Sequence, residues 1–254
     1  MTDNEKWILS PRRSGPFDTQ LFCFPFAGGG ASAFIPWAAE LPDTVELLAV
    51  QLPGRENRFR EPFIRRMEPL ASAIARAIAP RIRAPYAFLG YSLGAATAFE
   101  VASILCRMGA PMPAHLFAAA GRPPHLYPLS PRISALTDDE LFDTLERLYD
   151  FQIPSELRMY PDLRSSTLAT LRADFEIAET YHCNQTQPLP CAISAFSAQQ
   201  DVSVGEMAVA EWRQWTALSF HCHSVPSGHF FARLEPHLLM RPIGQVLTRL
   251  PEGG

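Results

Sequence analysis

Gly90-Tyr91-Ser92-Leu93-Gly94 is a G-x-S-x-G motif set between an apolar run, Tyr86–Leu89, and a long helical pattern from Leu93 to Met108. In a strand–turn–helix setting, small residues permit a sharp turn that lifts the serine oxygen off the end of a sheet. The amides that open the following helix point at that oxygen, so the Leu93 N–H is expected to stabilise an oxyanion. A serine hydroxyl is a poor nucleophile and needs a base oriented by a third group. Among seven histidines, His229 follows Ser227-Gly228, between the last expected strand and the last helix, and is the expected base. Asp201 follows the apolar run Cys191–Ala198 directly, at the sheet edge where ligands bind, and is the expected acid. Ser92, Asp201 and His229 then stand in one of the known chain orders of a catalytic triad. Asp174 is the competing acid; it falls inside a helical stretch and is expected to pair with an arginine such as Arg172 or Arg164. The second oxyanion donor is expected from Phe26-Ala27-Gly28-Gly29-Gly30, where glycines let backbone approach closely, with the Ala27 N–H preferred to that of Phe26. No G-x-x-x-x-G-K-[ST] or G-x-G-x-x-G makes that loop a phosphate cradle. His221 and His223 share one face of a strand, but no third ligand stands at metal-like spacing, so no metal is expected.

The elements that must position these residues alternate along the first half. Strands are expected at Leu21–Pro25, Val45–Leu52, Tyr86–Leu89 and Leu116–Ala120, with helices at Ser32–Leu41, Met67–Ile82 and Leu93–Met108. That alternation predicts a mostly parallel sheet with helices on both faces. From about Ile133 to Gln187 no strand is expected. Thr137-Asp138-Asp139-Glu140 is a capping box, and Pro161–Tyr181 carries an apolar stripe at helical spacing. Strands return at Cys191–Ala198 and Ala217–Val225, and a last helix is expected over Glu235–Leu250. The chain therefore reads as one α/β domain over 1–254 with a helical insertion at about 132–187. Six of the 24 prolines fall from Pro111 to Pro131, and Pro188 and Pro190 follow the insertion, so proline brackets it.

Composition excludes several classes. A net charge of −4 disfavours a nucleic-acid partner. No apolar stretch approaches a membrane span and Met1–Ser10 has no signal-peptide core, so a cytoplasmic protein is expected. Five scattered cysteines, without a CxxC pair, read as reduced and mostly buried thiols.

Several segments together resemble the type II thioesterases, stand-alone α/β-hydrolases that accompany polyketide and non-ribosomal peptide synthases. They are Phe24-Pro25-Phe26-Ala27-Gly28-Gly29, Leu52-Pro53-Gly54-Arg55-Glu56 with Arg58, Gly90–Ala95, Leu171-Arg172-Ala173-Asp174-Phe175 and Gly228-His229-Phe230-Phe231. The resemblance implies an α/β-hydrolase fold and a monomer that hydrolyses acyl thioesters on carrier-protein domains. The substrate itself carries the phosphopantetheine, no separate cofactor is needed, and the insertion is a lid over an acyl channel. Four departures stand out. Tyr91 replaces a frequent histidine, Ala198 and Ser227 replace glycines, and Tyr149-Asp150-Phe151-Gln152 replaces a Gly-Gly bend in the lid. Phe142, Leu145, Phe151 and Phe175 are expected to pack the lid rather than line a channel. Arg55, Arg58, Arg60, Arg65 and Arg66, with Glu56 and Glu61, read as an ion-paired face with Arg55 and Glu56 buried; the sharper reading is a dock for an acidic carrier protein or the pantetheine phosphate. A lipase or carboxylesterase, and a non-catalytic synthase-binding partner, are the competing functions.

Overall fold

The computed structural model describes residues 5–11, 15, 17–83, 85–149 and 151–250. Its sheet has seven strands: β1 (Ile8–Leu9), β2 (Thr19–Phe24), β3 (Val45–Val50), β4 (Tyr86–Tyr91), β5 (His115–Ala119), β6 (Ala192–Ala198) and β7 (Phe220–Val225). Their order is β1-β3-β2-β4-β5-β6-β7, and every pairing is parallel except that of β1 with β3. β2, β4 and β5 are buried throughout, as their near-continuous apolar character requires of strands covered on both faces.

Alternation along β2 divides the core. Phe22 and Phe24 face α1 (Met67–Ile78) and α2 (Leu93–Arg107), while Leu21 and Cys23 face a 3-10 helix, Ala31–Ala39. α2 ends as its sequence signals. Gly109 adopts φ +68°, and the Gly109 and Ala110 amides donate to Cys106 and Leu105 at 3.0 Å each, a Schellman closure.

Between β5 and β6 the described residues form α3 (Asp138–Tyr149), α4 (Ser155–Met159) and α5 (Pro161–Thr180). The capping box forms: the Thr137 amide donates to Glu140 Oε2 at 2.9 Å and the Glu140 amide to Thr137 Oγ1 at 3.4 Å. Leu141, Leu145, Leu168, Leu171 and Phe175 make a separate apolar cluster under these helices. Asp150, inside the expected lid bend, lies outside the described residues. After β6 come α6 (Glu206–Ala210) and a 3-10 turn, Glu211–Trp215, neither of which the sequence reading anticipated.

The expected last helix is two, α7 (Phe231–Leu234) and α8 (His237–Leu247), split at Glu235 and Pro236. The proline lacks the amide to continue the first and suits the start of the second. No helix among the described residues is long and apolar enough to cross a membrane. All five cysteines are free, but only Cys23 and Cys191 are buried; Cys106 and Cys222 are exposed, against the expectation of mostly buried thiols.

Candidate active site

Residues just past the carboxyl ends of β2, β4 and β7 line one cavity, and Asp201 past the end of β6 stands behind His229, as ligand sites in parallel sheets are built. β4 delivers Ser92 at φ +54° and ψ −119°, a strained conformation for a residue with a side chain. The turn holds because its neighbours have no Cβ. One on Gly90 would lie 2.3 Å from Ala95 Cα, and one on Gly94 would lie 2.1 Å from the Phe24 carbonyl oxygen. The Ser92 amide donates to the Ala119 carbonyl at 2.8 Å, tying the elbow to β5.

His229 Nε2 lies 3.2 Å from Ser92 Oγ, and His229 Nδ1 lies 2.7 Å from Asp201 Oδ2. The imidazole is 2% exposed. The other carboxylate oxygen, Asp201 Oδ1, accepts from the Ser203 hydroxyl at 2.6 Å and from the Ser203 and Val204 amides at 2.8 and 3.1 Å. Burial pushes the Asp201 carboxyl up; hydrogen bonds from His229 and Ser203 and the nearby imidazole outweigh it and hold the acid below its ordinary range. Ser203 escaped the sequence reading. Its signal was present, a hydroxyl two residues past an acid at a strand end, which favours a side-chain turn. Tyr91, in place of the frequent histidine, donates its buried hydroxyl to the His229 carbonyl oxygen and so fixes the base's backbone.

The glycine loop after β2 is held by the competing acid. Asp174 Oδ2 accepts the Gly28 amide at 2.7 Å, and Arg55 binds both carboxylate oxygens at 2.6 and 2.7 Å while donating to the Gly29 carbonyl at 2.9 Å. Asp174 therefore belongs to the loop's support and not to the Ser92–His229 line. Its partner is Arg55; Arg172 instead donates to the Ser134 and Leu136 carbonyls and Asp138, and Arg164 to Asp139. Arg55 is buried as expected, but Glu56 is exposed, accepting from the Ser32 hydroxyl at 2.5 Å. Arg65 and Arg66 share Glu176 of α5 as their ion partner.

Ala27, Leu93, Ser92 and His229 all border a cavity of about 560 Å³. Leu145, Phe151 and Phe175 line it as well as packing together, which corrects the expectation of packing alone; Phe142 does not reach it. Tyr149, at the end of α3, lays its ring 4.9 Å from the His229 ring at 71°. Of the remaining histidines, His115 is buried against Phe117, at a ring separation of 4.3 Å, and bonded to Ser194. His221 and His223 stay without further ligands, and no group of three or more His, Cys, Asp or Glu among the described residues could hold a metal.

A doubly wound, largely parallel sheet with a serine elbow, a buried imidazole and a buried carboxylate at its strand ends defines an α/β-hydrolase. Residues 19–243 match the model of the Thioesterase domain family, and the chain belongs to that family; it is a thioester hydrolase of the serine type. It is similar to RedJ, a thioesterase from the prodiginine biosynthetic pathway in Streptomyces coelicolor, with 37% identity, a TM-score of 0.84, and coverage of 94% of this chain and 90% of that one. It is similar also to BorB, the type II thioesterase of the borrelidin biosynthetic cluster, with 28% identity, a TM-score of 0.84 and 98% coverage of each. Linear gramicidin dehydrogenase LgrE of Brevibacillus parabrevis is 34% identical over 95% of this chain and 92% of its own length.

Proposed function

We propose that this thioesterase hydrolyses acyl groups from the phosphopantetheine arm of acyl or peptidyl carrier proteins, clearing stalled or aberrant chains from polyketide or non-ribosomal peptide assembly. The observation that carries the reading is the Ser92–His229–Asp201 line at 3.2 and 2.7 Å, opening on a cavity walled by leucine and aromatic side chains. His229 Nε2 takes the Ser92 proton as Oγ attacks the thioester carbonyl carbon. Asp201 keeps the proton on Nδ1 and balances the imidazolium that forms. The oxyanion is met by the Ala27 and Leu93 amides. The intermediate collapses with protonation of the departing pantetheine thiol by His229. Water, deprotonated by the same imidazole, then releases the free acid from Ser92. Residues 132–187 serve as the lid of the acyl channel. The protein acts in the cytoplasm as a monomer whose partners are carrier domains, with no nucleic acid, membrane, metal or resident cofactor involved.

The test compares acyl-loaded carrier protein with soluble esters, following carrier mass as the acyl group leaves. The reading expects the carrier thioester to be cleaved with the higher kcat/KM and Ser92→Ala to abolish cleavage. Faster turnover of soluble esters would make the protein a carboxylesterase. Binding to the synthase with no cleavage would make it a non-catalytic partner.

A further inference from the structure

We propose that the cavity selects acyl groups bearing a hydrogen-bonding oxygen close to the thioester, as in 3-hydroxy- and 3-oxoacyl chains, through the hydroxyls of Tyr127 and Tyr149. This rests on the thioester-hydrolase reading above and narrows its substrate class. The chain has six tyrosines. Three interior ones are satisfied by the protein: Tyr86 donates to the Pro111 carbonyl and Tyr181 to Glu100, both at 2.5 Å, and Tyr91 to the His229 carbonyl. Tyr160 is 58% exposed. Tyr127 and Tyr149 are half-buried and both line the cavity, and neither hydroxyl bonds to a described residue; both open on the cavity, since Arg55 Nε is the one polar side-chain atom among the described residues that is fully buried without a partner. Their neighbours on the wall include Leu129, Leu145 and Phe175, which offer nothing polar.

A bound chain that displaces solvent from these hydroxyls leaves them unpaired at a cost in free energy unless it supplies the partner itself. Both rings are held by packing, Tyr127 on Tyr181 at 5.3 Å and Tyr149 on Phe175 at 6.1 Å, which keeps them on the cavity wall. The position along the acyl chain follows from Tyr149. Its ring touches the imidazole that touches Ser92 Oγ, which sets it beside the first carbons of a bound acyl group. Burial pushes the Tyr149 phenol up to about 12, only partly countered by the Arg122 guanidinium, so it keeps its proton at neutral pH. It can thus donate to a keto oxygen and either donate to or accept from a hydroxyl. A plain alkyl chain would fill the same space and leave both hydroxyls unpaired.

The test measures kcat/KM of the whole chain for the N-acetylcysteamine thioesters of butyrate, 3-hydroxybutyrate and 3-oxobutyrate. One retained hydrogen bond corresponds to about a 2- to 10-fold preference, so wild type is expected to favour an oxygenated substrate by about that factor. In Tyr127→Phe/Tyr149→Phe the ratio should fall toward one. If the double variant fails to fold, the single Phe variants should each reduce the ratio. A wild-type ratio of one overturns the proposal. So does an equal loss on all three substrates with the ratio kept, which would mark the tyrosines as structural or as oxyanion donors. The parent reading fails differently, with no thioester cleaved or with cleavage surviving Ser92→Ala, and the selectivity falls with it.

Discussion

Truncating Arg55 to alanine would strand a carboxylate that ties three parts of the molecule together. Asp174 comes from α5, Arg55 from the loop after β3, and the Gly28 amide from the loop that carries the expected oxyanion donor. The arginine side chain is 8% exposed and the aspartate 2%, so the pair is largely shielded from solvent. Removing one member of such a buried, bidentate pair costs about 3–5 kcal/mol. For a chain of this size each kcal/mol moves Tm by about 2–4 °C, so Arg55→Ala should melt about 6–20 °C lower. Turnover should suffer too, because Asp174 would no longer be held where it anchors Gly28. A drop of about 10- to 100-fold in kcat/KM is expected, short of the 10²–10³ that follows outright loss of an oxyanion donor. Arg55→Met with Asp174→Leu removes both charges. It should recover about 2 kcal/mol or more of the lost stability, while activity stays low because the Gly28 amide has lost its acceptor. Urea unfolding and thioester hydrolysis on the three variants give both quantities. An Arg55→Ala protein within about 1 kcal/mol of wild type and with unchanged turnover would refute the reasoning.

Gly94→Ala should fail to accumulate as folded protein or lose most activity, since its Cβ would lie 2.1 Å from a β2 carbonyl oxygen; near-normal folding and turnover would contradict the elbow geometry. The Asp201 carboxyl is held below its ordinary value of 3.8, so its stabilising contribution is full above that value and is lost as pH falls through the lowered one. The unfolding free energies of wild type and Asp201→Asn, measured in urea from pH 7 down to about pH 3, should therefore converge at the acid end. Parallel curves would count against it. Arg65→Ala/Arg66→Ala breaks two ion pairs whose arginines are 46% and 54% exposed, and should change stability by less than about 1 kcal/mol. Carrier affinity should be unchanged if these arginines serve Glu176; a large loss of affinity would instead make them the carrier dock.

Local signals made much of this site readable. The glycines around Ser92, the turn after β6 and the Gly228-His229 step are each set within a few residues, so their types reveal the turn before any fold is known. Chain order then assembled Ser92, Asp201 and His229, and the structure brings those three side chains together. What stayed hidden depends on distance along the chain. Asp174 was expected to pair within its own helix, yet its partner is 119 positions away, and no local pattern encodes that. Tyr149 signalled only a departure from a glycine bend; its place against His229 needs α3 to be docked over the sheet. β1 is two residues long and too short for any periodicity to register. The boundary of the last helix was the exception. Pro236 was visible, and the split it enforces follows from its missing amide.

If His229 activates Ser92 as proposed, the acyl group passes through the Ser92 oxygen on its way to water. Rapid acid quenching of the enzyme with an acyl thioester, followed by peptide mass mapping, tests it most directly. The mass of one acyl group is expected on the peptide containing Ser92 within the first turnover, and none in Ser92→Ala. Acyl mass on a different residue, or full hydrolysis by Ser92→Ala, would contradict it.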